Sequence, residues 1–215
     1  MPETSSPIAH QFGDAQQQSE ASTLGMWVFL ITEVMFFGGL FAGFFVYVIA
    51  YTSAFAQGSK HLDLALGSIN TGVLIGSSLT MAFAVRSAQL GRRRQLLLFL
   101  VLTTTLGLLF LGIKAVEYAH KFHQHLVPGP AFHIDSPVSP HVQLFFSFYF
   151  VMTGMHALHM IVGIGILLYL LVQAWRGRYS ANYCNPVEVS GLYWHFVDVV
   201  WIFLFPMLYL VARHV

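Results

Sequence analysis

The run Tyr193-Trp194-His195-Phe196-Val197-Asp198-Val199-Val200-Trp201 decides the fold. It sits in an apolar, aromatic stretch from about 190 to 212, long enough to cross a hydrocarbon core of about 30 Å at 1.5 Å per helical residue. His195 and Asp198 stand three residues apart, nearly one helical turn, so their side chains are expected to point the same way. Ionisable groups inside a membrane are costly, and they persist where they face protein or a functional pathway. The stretch therefore reads as a helix within a bundle, with its polar pair turned away from lipid.

Four more stretches upstream are long enough to span, at about 23–51, 64–90, 95–118 and 141–174. Composition agrees: 9% of the 215 residues are charged, against about 25% in a soluble domain. The fold class is all-α, an integral membrane bundle of five transmembrane helices spanning residues 23–215, with residues 1–22 as a polar, flexible N-terminal tail. That tail holds no Lys or Arg, so it lacks the basic start of a secretory signal, and the first span is expected to stay in the mature protein. The fourth stretch exceeds the minimum length and is expected to tilt or project. The longest connection, about 120–140, is rich in His and Pro.

Basic residues in the short loops set orientation. One side carries Arg86, Arg92, Arg93, Arg94, Arg176 and Arg178; the other carries Lys60, Lys114, Lys121 and Arg213. This places the N-terminus inside and the C-terminus outside. Net charge is +1 and the single cysteine is Cys184. Nothing in that balance implies a nucleic acid or other strongly charged partner, and an internal disulfide or a cysteine-based metal framework is excluded.

Packing cues are Gly39 and Gly43 in span one, Gly72 and Gly76 in span two, and Gly154, Gly163 and Gly165 in span four. Small residues at such positions let helix backbones approach in lipid. Pro206 is expected to kink or loosen span five.

The candidate site rests on five ionisable residues. Glu33 lies about 14 Å into span one, close to the midplane. A lone carboxylate there must be protonated or paired. His156 and His159 share a face of span four at roughly 18–22 Å from its outer end, and His195 and Asp198 lie roughly 8 and 12 Å from the inner surface. Glu33, His156, His159, His195 and Asp198 therefore fall in overlapping layers and are expected to form one or more polar clusters inside the bundle. Three histidines within the spans, none in the first three spans, are too few for haem and copper ligation, so no metal site is assigned. Lys114 and Glu117, near the outer end of span three, read as groups snorkelling to the interface. The outer loop adds His120, His123, His125 and His133, with His141 at span four, read as solvated histidines. Arg92, Arg93 and Arg94 are placed to meet anionic lipid headgroups, and Trp194 and Trp201 are read with them as headgroup contacts. The outer halves of spans four and five read as apolar, with Phe145, Phe146, Phe148, Phe150, Leu204 and Leu210, which counts against a proton channel or transporter.

The same residues resemble a known family. Tyr193–Trp201 is similar to the last-helix signature of subunit III of haem–copper terminal oxidases. Thr32-Glu33-Val34-Met35-Phe36-Phe37 resembles its glutamate-bearing helix. Ser68-Ile69-Asn70-Thr71-Gly72 through Ser77-Ser78 resembles the next helix, and Thr153-Gly154-Met155-His156-Ala157-Leu158-His159 its Gly-x-His-x-x-His segment. The motifs follow in order over about 22–212, in the short bacterial form that lacks the first two helices of longer members. The resemblance implies an accessory subunit of a respiratory oxidase that reduces O2 to water, in a bacterial cytoplasmic membrane. It implies haems and copper in partner subunits, none on this chain, and bound phospholipid. It also implies packing against subunit I beside subunit II, support of proton uptake, and no catalytic residue here. Glu33 leans the reading to a cytochrome c oxidase, since some quinol oxidase members carry Asp at that position. A quinol oxidase, a nitric-oxide-reductase-associated complex and a respiratory supercomplex remain open, as does the rival reading as an assembly factor.

Overall fold

The computed structural model describes residues 11–129, 132, 139–181 and 183–211. His133, one of the outer-loop histidines, lies outside them, and so does Arg213. The elements are α1 (Ala15–Ala50), α2 (Thr52–Lys60), α3 (Leu64–Gln89), α4 (Arg93–His123), α5 (Ser139–Trp175) and α6 (Asn185–Phe205), which runs on into a π-helical turn (Pro206–Val211). Five of the helices are long and apolar enough to cross a membrane. Among the described residues no strand forms; Ser180 and Tyr183 share one isolated bridge.

The helix ends explain where the boundaries fall. α1 begins at Ala15, within the stretch the sequence assigned to a polar tail. Asp14 accepts the Gln17 N–H at 2.7 Å, and the Gln17 side chain accepts the Gly13 N–H at 2.7 Å. This reciprocal cap suits a run of helix formers such as Ala15-Gln16-Gln17-Gln18, which needs no apolar face to start. Asp63 caps α3 by accepting from Ala65 and Leu66 at 2.9 and 3.1 Å. Replacing Asp63 by Ala is expected to cost about 1 kcal/mol, read as a lower midpoint in detergent-denaturant titration of the assembled complex.

α3 and α5 both close in a Schellman motif. After α3, Arg92 N–H bonds Ser87 O at 2.9 Å and Gly91 N–H bonds Ala88 O at 3.0 Å, with Gly91 at φ 65°. After α5, Arg178 N–H bonds Gln173 O at 3.1 Å and Gly177 N–H bonds Ala174 O at 3.0 Å, with Gly177 at φ 73°. Glycine occupies both left-handed positions without the Cβ penalty. Arg93, at the start of α4, reaches the same end of α5: its Nε donates to Ala174 O at 3.0 Å and its guanidinium also to Trp175 O. A cation on the last carbonyls of a helix is favoured by the dipole. Arg93 therefore ties two helix ends together, whereas the sequence had grouped it with Arg92 and Arg94 as a headgroup contact.

α3 and α4 form a tight hairpin, α6 packs against α3 and α5, and α1 lies mainly on α6. The short α2 packs on α5 through an aromatic cluster. Phe55 meets Phe44 and Phe145, each at 5.5 Å between ring centroids. A Cβ added at Gly58 would stand 2.4 Å from Phe145.

The close approaches come mostly from glycines other than those the sequence singled out. Gly39, Gly72 and Gly165 have open space where a Cβ would lie. Gly163 does serve close packing: with Gly107 it forms a slot for Trp194, whose ring atoms come within 3.0 Å and 2.8 Å of the two hypothetical Cβ positions. α3 supplies the polar stitches. Thr80 bonds Thr103 of α4 at 2.8 Å, while Ser77, Thr71 and Ser78 bond Trp194 (3.2 Å), Trp201 (3.0 Å) and His195 (2.8 Å) of α6. In lipid such bonds contribute about 0.6–2 kcal/mol each.

Candidate functional site

Glu33 sits on α1 and His159 on α5, and the bundle brings them together. His159 Nε2 lies 3.2 Å from Glu33 Oε2. His159 Nδ1 lies 2.8 Å from Met155 O, one helical turn back. That carbonyl fixes the Nδ1 side as the donor, leaving Nε2 to share a proton with the carboxyl group. Tyr193 of α6 closes the site: its hydroxyl donates to His159 O at 3.0 Å. The Phe37 ring stands 5.3 Å from the imidazole. The pair is not sealed. The Glu33 and His159 side chains are 19% and 13% exposed, while the uncovered Trp27, Ile31, Val34 and Met35 lie about 100–160° around α1 from Glu33, on its other face.

The other residues of the candidate site go elsewhere. His156 and His159 do not share a face. His156 is buried, with Phe110 at 5.5 Å and Trp201 at 5.1 Å between ring centroids, while His159 turns to α1. Three residues are about 300° of helical rotation, which leaves the two side chains about 60° apart, enough to serve different neighbours. His195 and Asp198 stay together, with Ser78 of α3 beside both. His195 Nδ1 pairs with Ser78 Oγ at 2.8 Å, at the edge of a cleft of about 350 Å³ whose lining includes Glu188 and Thr23. Asp198 is buried and its carboxyl oxygens make no hydrogen bond, with Ser78 as its polar neighbour. Trp194 and Trp201 are buried in the core, so neither can meet lipid headgroups. Arg92 and Arg94 are exposed.

The sequence reading missed the strongest polar cluster. Lys114 and Glu117 are not at the interface; they are 4% and 2% exposed. Lys114 Nζ donates to Glu117 Oε2 at 2.9 Å and to the Tyr149 and Tyr209 hydroxyls at 3.3 Å each. Both phenols donate to Glu117 Oε1, Tyr149 at 3.0 Å and Tyr209 at 2.5 Å. The ammonium also lies 4.9 Å from the Trp201 ring. Every charge here is met by its opposite and by hydroxyls, the condition under which a buried ion pair is tolerated. The N-terminal half of α5 and the C-terminal turn are thus polar inside, through the tyrosines between the phenylalanines. Pro206 lacks an N–H, and the π-helical turn that begins there carries Tyr209 inward.

His120 and His123, in the last turn of α4, and His125 just beyond it are exposed, and His141 of α5 stacks on Tyr51 at 4.0 Å. Among the described residues no group of three His, Cys, Asp or Glu side chains converges as a metal site.

Comparison with known sequences bears on this arrangement. Residues 12–213 match the family profile described as cytochrome c oxidase subunit III. The chain is 32% identical to the probable quinol oxidase subunit 3 of Staphylococcus haemolyticus, over 91% of each chain. It is 29% identical to the cytochrome bo(3) ubiquinol oxidase subunit 3 of Pseudomonas aeruginosa, over 95% of this chain and 92% of that one. It is 34% identical to the cytochrome c oxidase subunit 3 of Ornithorhynchus anatinus, over 86% of this chain and 67% of that one.

Proposed function

The chain belongs to the cytochrome c oxidase subunit III family, and from that premise we propose that it buttresses the catalytic subunit of a bacterial terminal oxidase and keeps that subunit's proton entry path open. As subunit III of a haem–copper oxidase it is an integral membrane part of an oxidoreductase complex. The haems and copper belong to its partners, subunits I and II.

One observation carries the supporting role: the Glu33–His159 pair at 3.2 Å, held between α1 and α5 and left partly open. A carboxyl and an imidazole sharing one proton can accept or release it with little rearrangement. Placed against a partner subunit, the pair holds protons beside that subunit's uptake path. The chain lies in the cytoplasmic membrane with its N-terminus inside, and Arg92 and Arg94 then meet anionic headgroups on the inner side. Bound phospholipid fills the apolar surface of α1 that subunit I leaves free.

Glu33→Gln and His159→Phe test this in the assembled oxidase. Both are expected to shorten sustained turnover by the same amount, because each removes one half of a single unit, and the double variant is expected to add nothing further. Unchanged activity, inactivation and lipid content in both variants would remove the pair from the account.

Cytochrome c is the donor in the first reading, on the glutamate at position 33. Near-complete mutual coverage with quinol oxidase subunits favours a second reading with quinol as donor. Oxygen consumption by the purified complex with reduced cytochrome c, and separately with a quinol, separates the two.

A further inference from the structure

A polar atom buried without a partner costs about 1–3 kcal/mol, and in lipid no bulk water relieves it. Among the described residues four buried side chains have polar atoms without a hydrogen bond to protein: Gln173 near the end of α5, and a group of three, with Asn70 Oδ1, both ring nitrogens of His156, and both carboxyl oxygens of Asp198. These three residues are 1%, 1% and 3% exposed. They come from α3, α5 and α6, and they gather around one indole. The His156 ring is 5.1 Å from Trp201. Asn70 Nδ2 donates to Phe110 O at 3.5 Å, and the Phe110 ring is 4.9 Å from Trp201. Asp198 lies about one turn before Trp201 on α6. Polar groups bound this region at both ends, with Lys114 Nζ 4.9 Å from the Trp201 ring on one side and the Ser78–His195 pair on the other.

We propose that the core around Trp201 is a site for internal water, in which a small cluster of molecules bridges Asp198, His156 and Asn70. Water suits this set because it donates and accepts. The carboxyl group, the imidazole and the amide oxygen supply the two to four polar partners that a buried water requires. Ser78, the polar neighbour of Asp198, also meets His195 and has one proton to donate, so it cannot serve both carboxyl oxygens, and Thr71 meets Trp201. The bridging water joins the Lys114–Glu117–tyrosine network to the Ser78–His195 pair and makes the Asp198 carboxyl proton exchangeable from within the bundle. The inference does not depend on Glu33 or on the identity of the electron donor.

The test uses the assembled oxidase. A cryo-electron microscopy map that resolves ordered water is expected to show density within hydrogen-bonding distance of Asp198 and His156. Infrared difference spectra of the wild type and Asp198→Asn are expected to reveal a carboxyl band that shifts on transfer to heavy water. A map with no water between these groups and the Asp198 carboxyl turned onto Ser78 would overturn the proposal. So would a carboxyl band that stays fixed in heavy water. The wild-type map decides alone if Asp198→Asn does not assemble.

Discussion

Replacing Glu117 by Ala is expected to destabilise the bundle by about 3–5 kcal/mol, the cost of leaving a buried charge without its partner. Glu117 accepts from Lys114, Tyr149 and Tyr209 at 2.5–3.0 Å. Its loss strands the Lys114 ammonium among aromatic rings and leaves two phenols without an acceptor. It also loosens the π-helical turn, whose Tyr209 hydroxyl bonds this carboxylate and Lys114. The double variant Lys114→Met, Glu117→Leu is expected to recover most of the loss, since a well-packed apolar pair of similar volume often equals a buried ion pair. Denaturant titration of the complex in mixed micelles measures both. Glu117→Ala within 1 kcal/mol of the wild type, a margin typical of exposed pairs, would mean that Lys114 and Glu117 do reach the interface.

Trp194→Ala is expected to cost about 3–5 kcal/mol, the usual range for emptying a buried aromatic site. The indole is 1% exposed and lies in the slot made by Gly107 of α4 and Gly163 of α5, with its Nε1 donating to Ser77 of α3 at 3.2 Å. One side chain thus fixes α6 against three helices. Refilling the slot from the other side should not rescue it. Gly107→Val alone would drive a Cβ to 2.8 Å from the indole and displace it. The same titration reads both variants, and loss of subunit III during purification reads them a second way. A Trp194→Ala complex that holds the subunit as firmly as the wild type would contradict the slot.

Much of the fold was legible because lipid imposes a simple rule: a helix must be long and apolar, and five stretches met it. The misses have local causes. α2, with the sequence Thr-Ser-Ala-Phe-Ala-Gln-Gly-Ser-Lys, is short and only half apolar, so it gives no span signal. Its burial comes from an aromatic cluster assembled from α1 and α5. The early start of α1 follows from Asp14 and Gln17, a capping signal inside a segment judged by its polarity. α4 continues to His123, so Lys114 lies about 14 Å from its end and cannot snorkel.

In the site, depth alone brought Glu33 to the level of His159, and the structure pairs them. Depth could not say which way a side chain turns. His156 and His159 were expected to act together by spacing, but the neighbouring helices part them, whereas His195 and Asp198 both meet Ser78. The tyrosines of the Lys114 cluster were hidden among phenylalanines because a phenol looks apolar in a hydropathy reading. Only the cross-helix geometry reveals Tyr149 and Tyr209 as hydrogen-bond donors to Glu117.

The most direct measurement compares the oxidase purified with and without this chain, by haem absorbance per catalytic subunit and by oxygen consumption over successive turnovers. The account predicts equal haem absorbance and an early rate that is kept, followed by progressive inactivation only where the chain is missing. Haem absorbance that falls in proportion to the chain removed would contradict it, because the redox centres would then depend on a subunit assigned only to support them.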